Sequence, residues 1–217
     1  MNTKISGFGG DIYLKKEIFR LIKKHKVRTV IETGTYLGDT TMELSRLVKK
    51  VYTIEINSQF SALAKLRCKS QTNIIYLIGN SPDIFRRILP NIKKPILFFL
   101  DAHWFDYWPI RDEIKAILKH SGSANIIVIH DFYVPGKNFG YDSYIQTKKN
   151  DIASIIICMT DKILRILFPK LTEIIFHKQK LDLEYIKDLI RLINPDFKFH
   201  YNSEATGKRR GVVYIEC

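Results

Sequence analysis

Apolar residues along the chain alternate between two spacings. Leu14, Ile18, Leu21 and Ile22 recur at helical intervals across residues 11–26, and the short branched run at 29–32 has the character of a strand. The exchange then repeats. Met42, Leu44, Leu47 and Val48 predict a helix over 39–49, followed by a strand at 51–56. A helix over 58–70, capped by Asn57 or Ser58, precedes a strand at 74–78. A helix over 81–89 stops at Pro90, residues 96–100 make a continuous apolar strand, 110–120 a helix, and 126–129 another buried strand. Five strands separated by helices predict a mostly parallel sheet covered on both faces, a doubly wound α/β arrangement in three layers. Residues 182–193 then carry Leu183, Ile186, Leu189, Ile190 and Ile193 on one helical face, and 197–201 and 211–215 read as a pair of strands.

Composition narrows the setting. A chain of 217 residues with 46% hydrophobic content can bury one sizeable core, so a single domain over residues 1–217 is expected. Cys68, Cys158 and Cys217 are odd in number and far apart, which suggests neither a disulfide framework nor a zinc knuckle. With no apolar leader at the N-terminus, a cytoplasmic location is expected. The formal charge of +13 attracts polyanions in general, but the lysines are spread along the chain. Only residues 23–26 and 208–210 cluster, and no RNA-binding aromatic signature accompanies them. Solvated faces are the plainer reading, and nucleic acid is a disfavoured partner.

Doubly wound sheets bind ligands beyond the carboxyl ends of their strands. At the first strand end stand Glu32, Gly34, Gly38 and Asp39, and glycines there let backbone approach a ligand closely. Glu55 closes the second strand 21 residues after Gly34, near the offset at which an acid meets ribose hydroxyls. A dinucleotide would want a third glycine in Gly-x-Gly-x-x-Gly, and Glu32 and Asp39 would repel its pyrophosphate while receiving a cationic amino or sulfonium group. The expected ligand is a nucleoside that carries positive charge.

These residues resemble the class I S-adenosylmethionine-dependent methyltransferases over about residues 11 to 135. The glycine motif is similar to Glu32 through Gly38, the ribose acid to Glu55, and the adenine-edge motif to Gly79, Asn80 and Ser81. The pattern is closest to small-molecule and sugar O-methyltransferases of the macrocin type. The resemblance implies a seven-stranded sheet of order 3-2-1-4-5-7-6 with strand 7 antiparallel, S-adenosyl-L-methionine as cofactor and a small-molecule acceptor. It places Gly34 and Gly38 against the methionine part, Glu55 on the ribose and Asn80 or Ser81 at the adenine. Asp39 takes either the amino acid part of the cofactor or the cap of the following helix.

Chemistry is expected at the next two strand ends. Asp101 and His103 follow the fourth strand, and His130 and Asp131 the fifth, so two acids and two imidazoles should meet in one crevice. Related enzymes hold Mg²⁺ between acids at these ends, and Asp101 and Asp131 match two such positions. His103 stands where a further acid is common and shifts preference toward Mn²⁺, Fe²⁺ or Zn²⁺. The readings left open are a metal on Asp101, His103 and Asp131, a metal-free base at His103 or His130, or structural histidines, with Asp101 part of the catalytic set and of the cofactor wall.

Trp104, Tyr107 and Trp108 make either an acceptor or adenine wall or ordinary core packing. Glu113 either hydrogen-bonds a catalytic imidazole or is an exposed helix carboxylate. Residues 133–147 have the composition of a lid, in which Lys137, Tyr141 and Tyr144 are candidate acceptor contacts. Residues 150–180 read as an apolar helical insertion whose uncharged run is about half of the ~20 residues that span a bilayer. No transmembrane segment is expected there; core and homodimer contact is favoured, with peripheral membrane binding as the alternative. Two rival functions remain, a nonenzymatic RNA- or membrane-associated protein and a NAD-dependent oxidoreductase.

Overall fold

The computed structural model describes residues 6–103, 108–121, 124–145 and 178–217. Seven strands form the main sheet: β1 (Thr29–Thr33), β2 (Lys50–Glu55), β3 (Ile74–Ile78), β4 (Ile96–Leu100), β5 (Ile126–His130), β8 (Lys198–Tyr201) and β9 (Val212–Glu216). Their order is β3-β2-β1-β4-β5-β9-β8. The first five run parallel, and β9 lies antiparallel to both β5 and β8. Counting only these strands, this is the expected order with the last strand antiparallel. A separate two-stranded pair, β6 (Ser143–Ile145) with β7 (Lys178–Lys180), has no counterpart in the sequence reading.

Strand β4 shows why a fully apolar run belongs at the middle of such a sheet. Ile96, Phe98 and Leu100 pack on one face, with Ile31, Ile127 and Ile129 of the neighbouring strands. That face is covered by α4 (Ser81–Ile88), α5 (Ile110–His120) and α6 (Leu183–Ile193). Leu97 and Phe99 turn to the other face, onto Leu14, Ile18 and Leu21 of α1 (Ile12–Lys24) and Leu44 of α2 (Asp39–Ser45). The period-two alternation of a strand therefore sends both sets inward.

The capping residues set the helix ends. Asn57 Oδ1 accepts the Gln59 and Phe60 amides at 2.9 and 3.3 Å and starts α3 (Ser58–Arg67). Asp182 accepts the Tyr185 amide at 3.1 Å and starts α6. Helix α2 ends at Ser45, four residues before the end at 49 that the apolar spacing predicts. Asn73 Nδ2 donates to the carbonyls of Ser45 and Val48 at 2.8 and 3.0 Å, and this side chain draws the last turn out of helical geometry.

No helix among the described residues is long and apolar enough to cross a membrane. The predicted insertion near 150–180 lies outside them except for its last residues, as do Trp104 and Tyr107.

Candidate active site at the carboxyl ends of the strands

The carboxyl ends of β1, β2, β3, β4 and β5 open into a cavity of about 1040 Å³. That is at the upper end of the roughly 300–1,000 Å³ typical of small-molecule sites. Gly34, Glu55, Asn80 and Ser81 line one part of it, and Asp101, His103, His130 and Asp131 another. The spacing read from the sequence thus brings these eight residues together.

Gly34 and Gly38 are required by geometry. Both have left-handed backbones, at φ +83° and +82°, and a Cβ on Gly34 would lie 2.6 Å from the Asp101 carbonyl oxygen. Gly34 lets β1 and β4 end side by side at the cavity floor. Gly38 does not line the cavity; it precedes α2, where a Cβ would meet Ala64 at 3.0 Å. The glycine loop therefore rests on α3.

Glu55 is buried and faces the cavity with both oxygens already oriented. Oε2 accepts the Tyr36 amide at 2.8 Å and Oε1 the Asn57 amide at 2.9 Å. An ionised carboxylate offers about four lone-pair directions, so two remain for a ligand. Tyr36 stands at the rim, edge-on to Phe60 at 4.9 Å.

Glu32 and Asp39 stand apart from the cavity. Glu32 is buried behind the loop, where its carboxylate accepts hydrogen bonds from Thr41 and Thr53, and desolvation raises its pKa to about 8. Asp39 turns onto Arg67 of α3 at 2.6 Å, and Arg67 also donates to the Leu37 carbonyl at 2.9 Å. Glu32 thus ties β1 to α2 and β2, and Asp39, expected as a cofactor contact or a helix cap, ties the end of the glycine loop to α3.

Glu113 differs from both sequence expectations. It is fully buried and accepts the Ser81 hydroxyl, and burial pushes its carboxyl up to about 7. Its position between Ile110 and Ile117 on the buried stripe of α5 was the signal for this. The bond fixes the Ser81 hydroxyl in the cavity wall.

The second part of the cavity is a network of acids and bases. His130 Nδ1 lies 3.0 Å from Asp101 Oδ1 and 3.1 Å from Asp131 Oδ1, so it carries the proton on this nitrogen. Burial alone would lower the imidazole, but the Asp101 and Asp131 carboxylates outweigh it and raise its pKa to about 10. Asp131, left-handed at φ +58°, is also bonded by Arg210. Burial opposes its charge, yet His130 and Arg210 hold its carboxyl well below the usual carboxylate range. Arg210 reaches Asp142 Oδ1 at 2.6 Å, and His103 Nδ1 lies 3.2 Å from Asp142 Oδ2.

Asp142 and Arg210 were not singled out in the sequence. Asp142 sat in an aromatic loop, and Arg210 ended a basic cluster that looked like a solvated face. Tyr141 and Trp108 line the cavity, whereas Lys137 is exposed and does not. By distance alone, ligand atoms of Asp101, His103 and Asp131 lie within 4.8 Å of one another and admit an ion.

No family model matches the sequence, and no curated protein is similar to it. Solved structures are similar in fold. The O-methyltransferase TomG from Streptomyces achromogenes, in complex with SAM, superposes with a TM-score of 0.58 at 14% identity, covering 94% of this chain and 78% of that one. An O-methyltransferase from Bacillus cereus, in complex with SAH, gives 0.56 at 16% identity, covering 95% and 81%. The precorrin 8W decarboxylase of Methanobacterium thermoautotrophicum gives 0.51 at 12% identity, covering 95% and 90%. The architecture is the Rossmann-like fold of methyltransferases, and one of its bearers is described as a decarboxylase.

Proposed function

We propose that this chain is an S-adenosylmethionine-dependent methyltransferase acting on an oxygen of a small metabolite or sugar derivative. The observation that carries the reading is Glu55, a buried acid at the end of β2, preset by two backbone amides and facing the cavity opposite Gly34. Two vicinal ribose hydroxyls suit its remaining lone pairs. Ser81, oriented by Glu113, and Asn80 supply adenine contacts at the end of β3. Structural neighbours bound to SAM or SAH support the choice of cofactor.

When bound, S-adenosylmethionine supplies a methyl group activated on a sulfonium. The chain's part is to position an acceptor hydroxyl and remove its proton. His130, at about 10, is protonated at neutral pH and is not the base. His103 is suited to that role. Its Nδ1 is directed at Asp142, which leaves the Nε2 lone pair for the acceptor, an orientation that a carboxylate partner commonly enforces. Asp101 and Asp131 hold His130 as a fixed cation beside the reacting centre. No step is assigned to a metal, because the inner oxygens of both acids already serve His130 and Asp131 also serves Arg210.

Incubation with S-adenosylmethionine and a pool of hydroxylated metabolites tests the reading by mass spectrometry. Acceptor-dependent S-adenosylhomocysteine and an O-methylated product are expected from the wild type, and a rate near background from His103→Ala. Equal product from the two proteins would remove His103 from the mechanism. Cofactor consumption without an O-methylated product would refute the oxygen acceptor.

A further inference from the structure

The resemblance in sequence implies a divalent cation between the acids at the ends of β4 and β5, yet the surroundings of those acids carry a different arrangement. Arg210, in the turn between β8 and β9, sends its Nε to Asp131 Oδ1 and one terminal nitrogen to Asp142 Oδ1, the latter at 2.6 Å. One guanidinium thus bridges two carboxylates that come from different places in the chain.

The backbone holds it there. Asn202 Nδ2 donates to the Arg210 carbonyl at 3.0 Å, Gly140 forms an isolated bridge with Arg210, and the Gly140 amide donates to the Arg209 carbonyl at 2.9 Å. The missing side chain at Gly140 makes the room, since a Cβ would lie 2.8 Å from Arg210 Nη1. The Asp142 amide in turn donates to the Asp131 carbonyl at 2.8 Å, which keeps both acids in one register. The guanidinium therefore sits in a built socket.

We propose that Arg210 supplies, beside Asp131, the fixed positive charge that a divalent metal would otherwise supply there, so that the acceptor side of the cavity works without metal. The proposal rests on the methyltransferase reading for its role in catalysis, though not for its charge argument. An arginine cannot be deprotonated in a protein, so its charge stays at any working pH. An ion drawn to Asp101, His103 and Asp131 would lie beside this guanidinium, and like charges oppose its entry. Arg210 lines the cavity, where a fixed positive charge would stabilise the oxygen that develops negative charge as an acceptor loses its proton.

Mn²⁺ is the probe. Electron paramagnetic resonance would follow its binding to the wild type and to Arg210→Met at neutral pH, with S-adenosylhomocysteine titrated calorimetrically against the same preparations. The wild type is expected to take up no Mn²⁺ at millimolar concentration, while Arg210→Met, with two carboxylates uncovered, gains one site per chain. A purely structural role for Arg210 would not produce that gain. One tightly held Mn²⁺ in the wild type, or no gain in a folded Arg210→Met, would overturn the proposal. If that variant does not fold, Asp142→Asn, which releases half of the socket, is expected to leave Mn²⁺ unbound, and the wild-type titration still decides. Failure of the methyltransferase reading would show separately, as absent S-adenosylhomocysteine binding.

Discussion

Replacing His130 by asparagine should flatten the dependence of stability on alkaline pH. In the folded chain the imidazole is pressed between Asp101 and Asp131 at 3.0 and 3.1 Å, and its pKa is about 10. Its ordinary value is about 6.5. A base whose pKa rises on folding contributes stability that is complete below the unfolded value and is lost as pH climbs toward the folded one. The window here is therefore about pH 6.5 to 10. One unit of difference is worth about 1.4 kcal/mol, and the native state keeps its proton across pH 7 to 9 while the unfolded state sheds it, so the loss over that interval is roughly 2–3 kcal/mol. Urea unfolding followed by circular dichroism at pH 7, 8 and 9 measures it. The wild type should lose roughly 2–3 kcal/mol more over this range than His130→Asn. Glu32 and Glu113 also titrate high but are present in both proteins, so they cancel in the difference. Parallel slopes would show that the imidazole is not held charged by the two acids.

Three further outcomes follow from the same geometry. Glu32, at about 8, is a carboxyl whose folded value is raised, so it favours the native state at low pH and loses that contribution as pH rises from about 4.5 to 8. Glu32→Gln keeps the acceptor for Thr41 and Thr53, and its stability at pH 8 should fall less from its pH 6 value than that of the wild type; an unchanged slope in urea titrations would contradict this. Gly34→Ala, forced into φ +83° with its Cβ 2.6 Å from the Asp101 carbonyl, should lower stability by roughly 1–3 kcal/mol in thermal unfolding, and a neutral effect would mean the loop relaxes freely. Tyr141→Ala should raise the KM of the acceptor while leaving S-adenosylhomocysteine affinity near the wild-type value, and the reverse pattern would place Tyr141 on the cofactor side.

The strands and their carboxyl ends could be read from the chain because local signals fix them, whereas their order in the sheet came only from the family resemblance. Each parallel strand is a short apolar or branched run beside a helix with its own period, and a residue unlike that run stands at its end or directly after it: Gly34, Glu55, Gly79, Asp101 and His130. What could not be read depends on contacts distant in sequence. Glu32 and Asp39 carry the right chemistry for a ligand, but the partners that orient them, Thr53 and Arg67, lie 21 and 28 residues away. Arg210 meets Asp131 across 79 positions, and nothing local separates it from its two basic neighbours. The shortened end of α2 has the same origin, a single asparagine beyond the next strand.

The central claim is that the cavity beside Gly34 and Glu55 holds an adenosyl cofactor. Calorimetric titration of S-adenosylhomocysteine into the wild type and Glu55→Ala, with NAD in a parallel run, tests it most directly. Charge-assisted hydrogen bonds are worth about 1.5–3 kcal/mol, so one-to-one binding to the wild type, weakened roughly 10- to 100-fold in a folded Glu55→Ala, is the predicted result. Absence of S-adenosylhomocysteine binding, or equal affinity in the two proteins, would contradict it.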